Sequence, residues 1–201
     1  MPNWCSNYIA VRGTDSQKIR ALADAFDRGE LLQTVIPIPE CLVNTTSPTQ
    51  PGDEEAAAER RAQTGYTDWY SFCTNRWGTK WDISIQEVCD RDEDGLGFAG
   101  SFDTAWSPPT GVLEELVDQG YTVTAYYHEP GMAFVGKFED GYDDYYEYGG
   151  ENSSTVVAAI GNELDDFFGI SESMAEYEAE EEEDLTEWIK DGAEKRKLVA
   201  V

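Results

Sequence analysis

The sequence predicts an α+β fold with an antiparallel sheet and an acidic helical extension at its C-terminal end. Three observations predict it. The chain opens as a strand followed by a helix. Its middle reads as hairpin, helix and meander. Its charge is partitioned, with most of the excess acid in the second half. Apolar residues make up 40% of the 201, with six Trp, eleven Tyr and eight Phe, enough to bury a core.

Trp4 to Arg12 alternates as a strand does, with Tyr8 and Ala10 on one face and Ile9 and Val11 on the other. Gly13 ends it. Thr14 followed by Gln17 has the spacing of a capping box. Ile19, Leu22, Ala23 and Phe26 then recur at helical spacing, and Gly29 closes the helix. Leu31 to Ile38 is apolar but ends Ile36-Pro37-Ile38-Pro39, and proline keeps such a segment at an edge or off the ladder. Residues 44–55 form a polar loop. Short helices are expected over Glu54–Gln63 and near Asp68–Cys73. Ile83–Cys89 and Phe98–Thr104 read as strands around a turn at Asp94-Gly95.

Pro109 suits the first turn of a helix through Val117, capped by Gly120. Tyr121–His128, Met132–Phe138 and Tyr142–Tyr148 form the meander. A helix over Ser154–Phe168 places Val157, Ile160, Leu164 and Phe168 on one face. Glu172–Asp184 is a solvated acidic helix or arm, followed by a short apolar stripe at Leu185, Trp188 and Ile189 and by Lys195, Arg196 and Lys197. The organisation expected is a domain over 1–150 and an acidic helical extension over 151–201.

Composition narrows the function. The net charge is −27, from 41 acids and 14 bases. Such a chain repels nucleic acid and anionic membranes, so neither direct nucleic-acid binding nor membrane binding is expected. Its natural charged partner is a basic protein surface or a cation. No run approaches the length of a membrane helix. Met1-Pro2-Asn3-Trp4-Cys5 lacks the basic and apolar regions of a signal peptide, which predicts the cytoplasm.

Three aromatic motifs occur in order: Pro2-Asn3-Trp4-Cys5-Ser6-Asn7, Asn75-Arg76-Trp77-Gly78-Thr79-Lys80-Trp81-Asp82 and Phe102-Asp103-Thr104-Ala105-Trp106-Ser107-Pro108-Pro109. Over roughly residues 1–140 the chain resembles the YubB-type ferredoxin-like family of phages and plasmids. The resemblance implies a ferredoxin-like core and a mobile-element origin. It carries over no activity and no catalytic residue. On this reading Tyr8, Ile9, Leu22, Phe26, Phe102 and Trp106 lie in or beside one core.

Candidate chemistry is sparse. Trp77, Trp81 and Trp106, with Lys80 and Asp82, could line a ligand groove, but large aromatics at element junctions more often pin strands. Cys5, Cys41, Cys73 and Cys89 contain no C-x-x-C pair and read as buried or semi-buried thiols in a reducing compartment, so no zinc is expected. Asp90 to Gly95 resembles the start of a calcium loop, yet the twelfth position is Ser101 where a bidentate Glu is required, and a hairpin tip fits better. His128 is the only histidine and has no obvious Ser or Cys nucleophile partner in the sequence. With no phosphate-cradling loop, H-E-x-x-H or G-x-S-x-G, the expectation is a non-enzyme without cofactor or metal.

The acidic segment is the remaining signal. Glu139 to Glu187 contains 18 Asp or Glu and no Lys or Arg, whereas residues 1–81 hold 10 acids against 8 bases. That polarity argues against halophilic adaptation, which would acidify the whole chain. Between Glu176 and Glu187 there are eight carboxylates in twelve residues. As a helix that is ~18 Å long, and duplex DNA of that length carries about eleven phosphates at one per ~1.7 Å. The sequence therefore suggests an accessory protein that mimics DNA to block a basic host complex, such as a CRISPR effector or restriction enzyme. The expected contact residues are Glu139, Asp140, Asp143, Asp144 and Glu147 on the last hairpin, and Glu176, Glu180, Glu181, Glu182, Glu183, Asp184 and Glu187 beyond it. The other expectation is a protein-interaction or regulatory module whose acidity only solubilises it.

Overall fold

The computed structural model describes residues 3–199, with side chains for 3–186 and 188. The chain divides into two compact units, Met1–Tyr145 and Tyr146–Val201.

The first unit is built on a sheet. Strand β1 is Trp4–Arg12, followed by helix α1, Ser16–Asp27. Four short helices come next: α2 (Leu31–Val35), α3 (Glu40–Val43), α4 (Glu54–Thr64) and α5 (Trp69–Arg76). Two two-residue strands, β2 (Ser84–Ile85) and β3 (Asp90–Arg91), precede β4 (Gly97–Ala105), α6 (Thr110–Asp118), β5 (Thr122–Glu129) and β6 (Phe134–Glu139). Strand β7 is Tyr142–Glu147. The order across the sheet is β2-β4-β1-β5-β6-β7, with β3 also on β4.

Both β4 and β5 run antiparallel to β1, which lies between them. They are therefore parallel to each other, joined by α6 as a crossover. Likewise β1 and β2 both run antiparallel to β4, with α1 and the inserted helices joining them. Two interleaved split β-α-β units make the β-α-β-β-α-β ferredoxin-like plan, here extended by β6 and β7.

Period-2 alternation decides the faces. Ile9 and Val11 on β1, Phe98 and Phe102 on β4, and Val123 and Ala125 on β5 enter the main core with Ile19, Leu22 and Phe26 of α1 and Val112, Leu113 and Leu116 of α6. Phe26 meets Phe98 and Phe102 edge to face at 6.0 and 5.8 Å. Gly100 admits that ring, since a Cβ there would lie 2.6 Å from it. Ile9, Leu22, Phe26 and Phe102 thus sit where expected. Tyr8 does not: it lies on the opposite face of β1, its ring 6.4 Å from that of Tyr126. Trp106 is also outside the core, at 40% exposure.

Other expectations are corrected by local hydrogen bonding. Asp15, not Thr14, caps α1, its carboxylate accepting from the N–H groups of Gln17 and Lys18. The strand expected over Ile83–Cys89 shrinks to β2 because backbone donors there are committed to side chains. Ile83 N–H goes to the Asp82 carboxylate and Cys89 N–H to that of Asp27. Leu31–Val35 is helical, consistent with proline keeping it off the ladder.

In the second unit the helix expected over 154–168 is broken at Gly161, whose φ of 85° and ψ of 157° no helix accommodates. Helix α7 is Val156–Ile160, α8 is Asn162–Phe168, and α9 runs from Ile170 to Val199. Val156, Ile160, Leu164 and Ile170 are buried. The Asp165 carboxylate accepts from the Ser171 N–H and hydroxyl, holding the start of α9. Glu178 accepts from the N–H and hydroxyl of Ser153, tying α9 to the approach to α7. Among the described residues no helix is long and apolar enough to cross a membrane.

Candidate functional site

The three aromatic motifs converge at one end of the sheet. Register places Trp4 opposite Ala105, so Trp106 follows directly beside the start of β1. The Trp106 N–H donates to the Asn3 carbonyl at 2.9 Å. Trp106 is held at φ 71°, a left-handed conformation that costs a bulky residue ~1–3 kcal/mol. The Gly78–Asp82 segment is fastened to the same end: the Thr79 hydroxyl donates to the Ala105 carbonyl at 2.9 Å, and the Ser107 hydroxyl to the Gly78 carbonyl.

The result is a row of three half-exposed indoles. Ring centroids of Trp4 and Trp81 are 6.4 Å apart, and those of Trp81 and Trp106 are 6.5 Å apart at 27°. The Lys80 ammonium lies 4.2 Å from the Trp81 ring, 5.2 Å from Trp106 and 5.7 Å from Tyr70 of α5. No carboxylate lies within ion-pair distance of Lys80 among the described residues.

The neighbouring motif residues do different work. Trp77 is buried, and its indole N–H donates to the Ile36 carbonyl at 2.8 Å. The Asp82 carboxylate accepts from the N–H groups of Leu32, Gln33 and Ile83, holding the first turn of α2. Packing is thus the role of Trp77 and Asp82, whereas Lys80, Trp81 and Trp106 present a surface. Sequence reasoning missed Trp4 and Tyr70. Trp4 carried a signal, since it falls on the even face of β1, away from Ile9 and Val11.

The acidic residues divide. Glu139 pairs with Lys137 at 3.4 Å. Asp140, at φ 47°, makes the turn into β7 and accepts from the Val123 N–H. Asp143 accepts from the Tyr127 hydroxyl at 2.6 Å. Burial, and then that carboxylate, pushes the Tyr127 phenol well above its ordinary range. These three are structural participants as well as surface charges. Asp144 and Glu147 are exposed on β7. Glu176, Glu180, Glu181, Glu182, Glu183 and Asp184 are exposed on α9, with Glu181 accepting from the Tyr177 hydroxyl. The Glu187 side chain lies outside the described residues, as do those of Lys195, Arg196 and Lys197.

The remaining candidates have local explanations. All four cysteines are free; Cys5, Cys73 and Cys89 are buried, and Cys41 is exposed, contrary to expectation. Burial pushes the three buried thiols up to about 12. At the hairpin tip, Asp92 and Asp94 pair with Arg12, and Arg91 of β3 pairs with Asp24 and Asp27 of α1. Those carboxylates tie the turn to β1. His128 lies on β5, where burial lowers its pKa, and the next residue, Glu129, holds the following turn through the N–H groups of Gly131 and Met132. No group of His, Cys, Asp or Glu among the described residues is arranged to hold a metal ion.

Residues 80–191 match a family described as the ferredoxin-like domain in Api92-like proteins. A crystal structure of protein Api92 from Yersinia pseudotuberculosis is similar at 12% identity, covering 75% of this chain and 99% of that one, with a TM-score of 0.39. No curated protein matches.

Proposed function

The chain belongs to the family of ferredoxin-like domains in Api92-like proteins, and from that premise we propose that it is a non-catalytic accessory protein of a phage or plasmid. It acts by presenting an acidic surface to a basic, nucleic-acid-handling host protein. The observation that carries this reading is α9: one continuous helix on which every residue from Ala175 to Thr186 is exposed and no base interrupts the carboxylates. A rod of charge at ~1.5 Å rise per residue approaches the charge density of duplex DNA. It would enter a groove lined by Lys and Arg, such as that of a CRISPR effector or restriction enzyme, and exclude DNA from it.

The test uses the intact chain and a variant with Glu180, Glu181, Glu182 and Glu183 changed to Gln and Asp184 to Asn. Capture from host lysate at low and high salt should yield basic nucleic-acid-binding proteins with the parent chain and lose them with the variant. DNA should compete for the captured partner. A second reading has its own support: Glu139, Asp140, Asp143 and Glu178 are engaged internally. It makes the chain an interaction module whose acidity is solubilising. Capture that survives both neutralisation and high salt, or a partner that holds DNA and this protein together, selects the second reading.

A further inference from the structure

The indole row offers a site independent of the acidic surface. In this chain acids outnumber bases by 41 to 14, yet no carboxylate lies within ion-pair distance of Lys80 among the described residues. Lys80 instead directs its ammonium among Tyr70, Trp81 and Trp106, at 5.7, 4.2 and 5.2 Å from the ring centroids. All three distances fall within the ~6 Å over which a ring face attracts a cation. Three rings converging on one ammonium form an aromatic cage, and the cage already shows what it holds.

Its construction goes beyond what packing requires. The rings come from α5, the stretch before β2 and the residue after β4, and the last two segments are joined by the hydroxyl hydrogen bonds of Thr79 and Ser107. Trp106 keeps a left-handed backbone with its indole 40% exposed, and Trp81 is equally exposed. A packing residue would recover that backbone cost by burial. Strain at an exposed aromatic points to recognition.

We infer that Tyr70, Trp81 and Trp106 form a binding site for a methylated or quaternary ammonium group, with Lys80 as its built-in occupant. A trimethylammonium head is bulkier than the ammonium of Lys80, gives up water more readily and covers more of each ring. The strongly negative chain attracts such a cation at long range. Lys80 can withdraw without stranding a buried charge, because its side chain is partly exposed and its charge returns to water. The same head group can arrive as a free small molecule or on a trimethyllysine side chain.

The experiment follows the indole N–H resonances of the intact protein during titration with choline, with its neutral isostere 3,3-dimethylbutan-1-ol, and with one short peptide carrying either trimethyllysine or lysine. Choline or the trimethyllysine peptide should shift Trp81 and Trp106, while the neutral isostere and the unmodified peptide should not. The tighter of the two binders identifies the source. Lys80→Ala empties the cage and should tighten binding about two- to fivefold, the factor for one exposed cation–π contact. Trp81→Leu, with folding checked by circular dichroism, should abolish it. Equal binding of choline and its isostere overturns the proposal, as does absence of any shift. Weaker binding by Lys80→Ala also overturns it, since the lysine would then support the site and not occupy it. None of these outcomes bears on the acidic helix, whose variant keeps the cage intact.

Discussion

The two units handle negative charge in opposite ways. In the first, carboxylates are structural parts. Asp15, Asp68 and Asp82 each hold the first turn of a helix, Asp27 and Asp92 tie β3 and the hairpin to the rest, and Glu129, only 1% exposed, makes a turn. Most acids there answer a donor in their own fold. In the second unit, Asp165 and Glu178 do such work, while Glu182, Glu183 and Asp184 of α9 face water. Charge that satisfies the fold is fixed by it. Charge that the fold does not use can be altered without cost to it, and is available to something else.

This contrast breaks first at the core. Phe26→Ala removes the ring packed between α1 and β4 and should cost ~3–5 kcal/mol, measured by denaturant unfolding. Gly111→Ala comes next. Its Cβ would lie 2.2 Å from the Arg76 carbonyl oxygen, which must move, and a loss of ~1–3 kcal/mol is expected in the same assay. Asp82→Ala frees two backbone donors at the start of α2, and that of Ile83, and should cost about 1–3 kcal/mol. At the small end, neutralising Glu180 to Asp184 should change stability by no more than ~0.5 kcal/mol. The sign should be stabilising, because like charges at i,i+4 are relieved. A large loss there would show that these carboxylates support the fold after all.

Acid sharpens the same contrast. Burial raises the Asp27 and Asp68 carboxyls, but hydrogen bonds, from Cys89 N–H and Arg91 to the first and from Ser71 N–H and Thr67 to the second, leave both below the ordinary value. A folded-state pKa below the unfolded one stabilises at pH above the unfolded value of ~3.9, and that stability is lost as pH falls through the folded value. The melting temperature should therefore fall below about pH 4, and less steeply in Asp27→Asn and Asp68→Asn.

Most of the fold was legible because its signals are local. Alternation marked β1, turn signals marked β4 and β5, and Gly29 and Gly120, both at positive φ, ended α1 and α6 as expected. The errors arose where a distant side chain overrides a local pattern. Cys89 reads as part of a strand until Asp27, 62 positions earlier, takes its N–H. Trp106 reads as core until β1 proves to be its neighbour. The aromatic site was half legible: Lys80, Trp81 and Trp106 stood out as a motif, but nothing local says that Trp77 turns inward while Trp81 turns out, or that Trp4 and Tyr70 join them.

The edges of the sheet bear on how the chain behaves in a crowd of its own copies. On one side the border consists of β2 and β3, two residues each, too short to template another strand. On the other it is β7, six residues long, exposed throughout, composed of three tyrosines and three acids. At neutral pH mutual repulsion keeps two such borders apart. Without that charge a tyrosine-rich strand would stand at an open border, able to pair with the same border of a second molecule, so the carboxylates of one short strand separate a dispersed protein from a self-paired one.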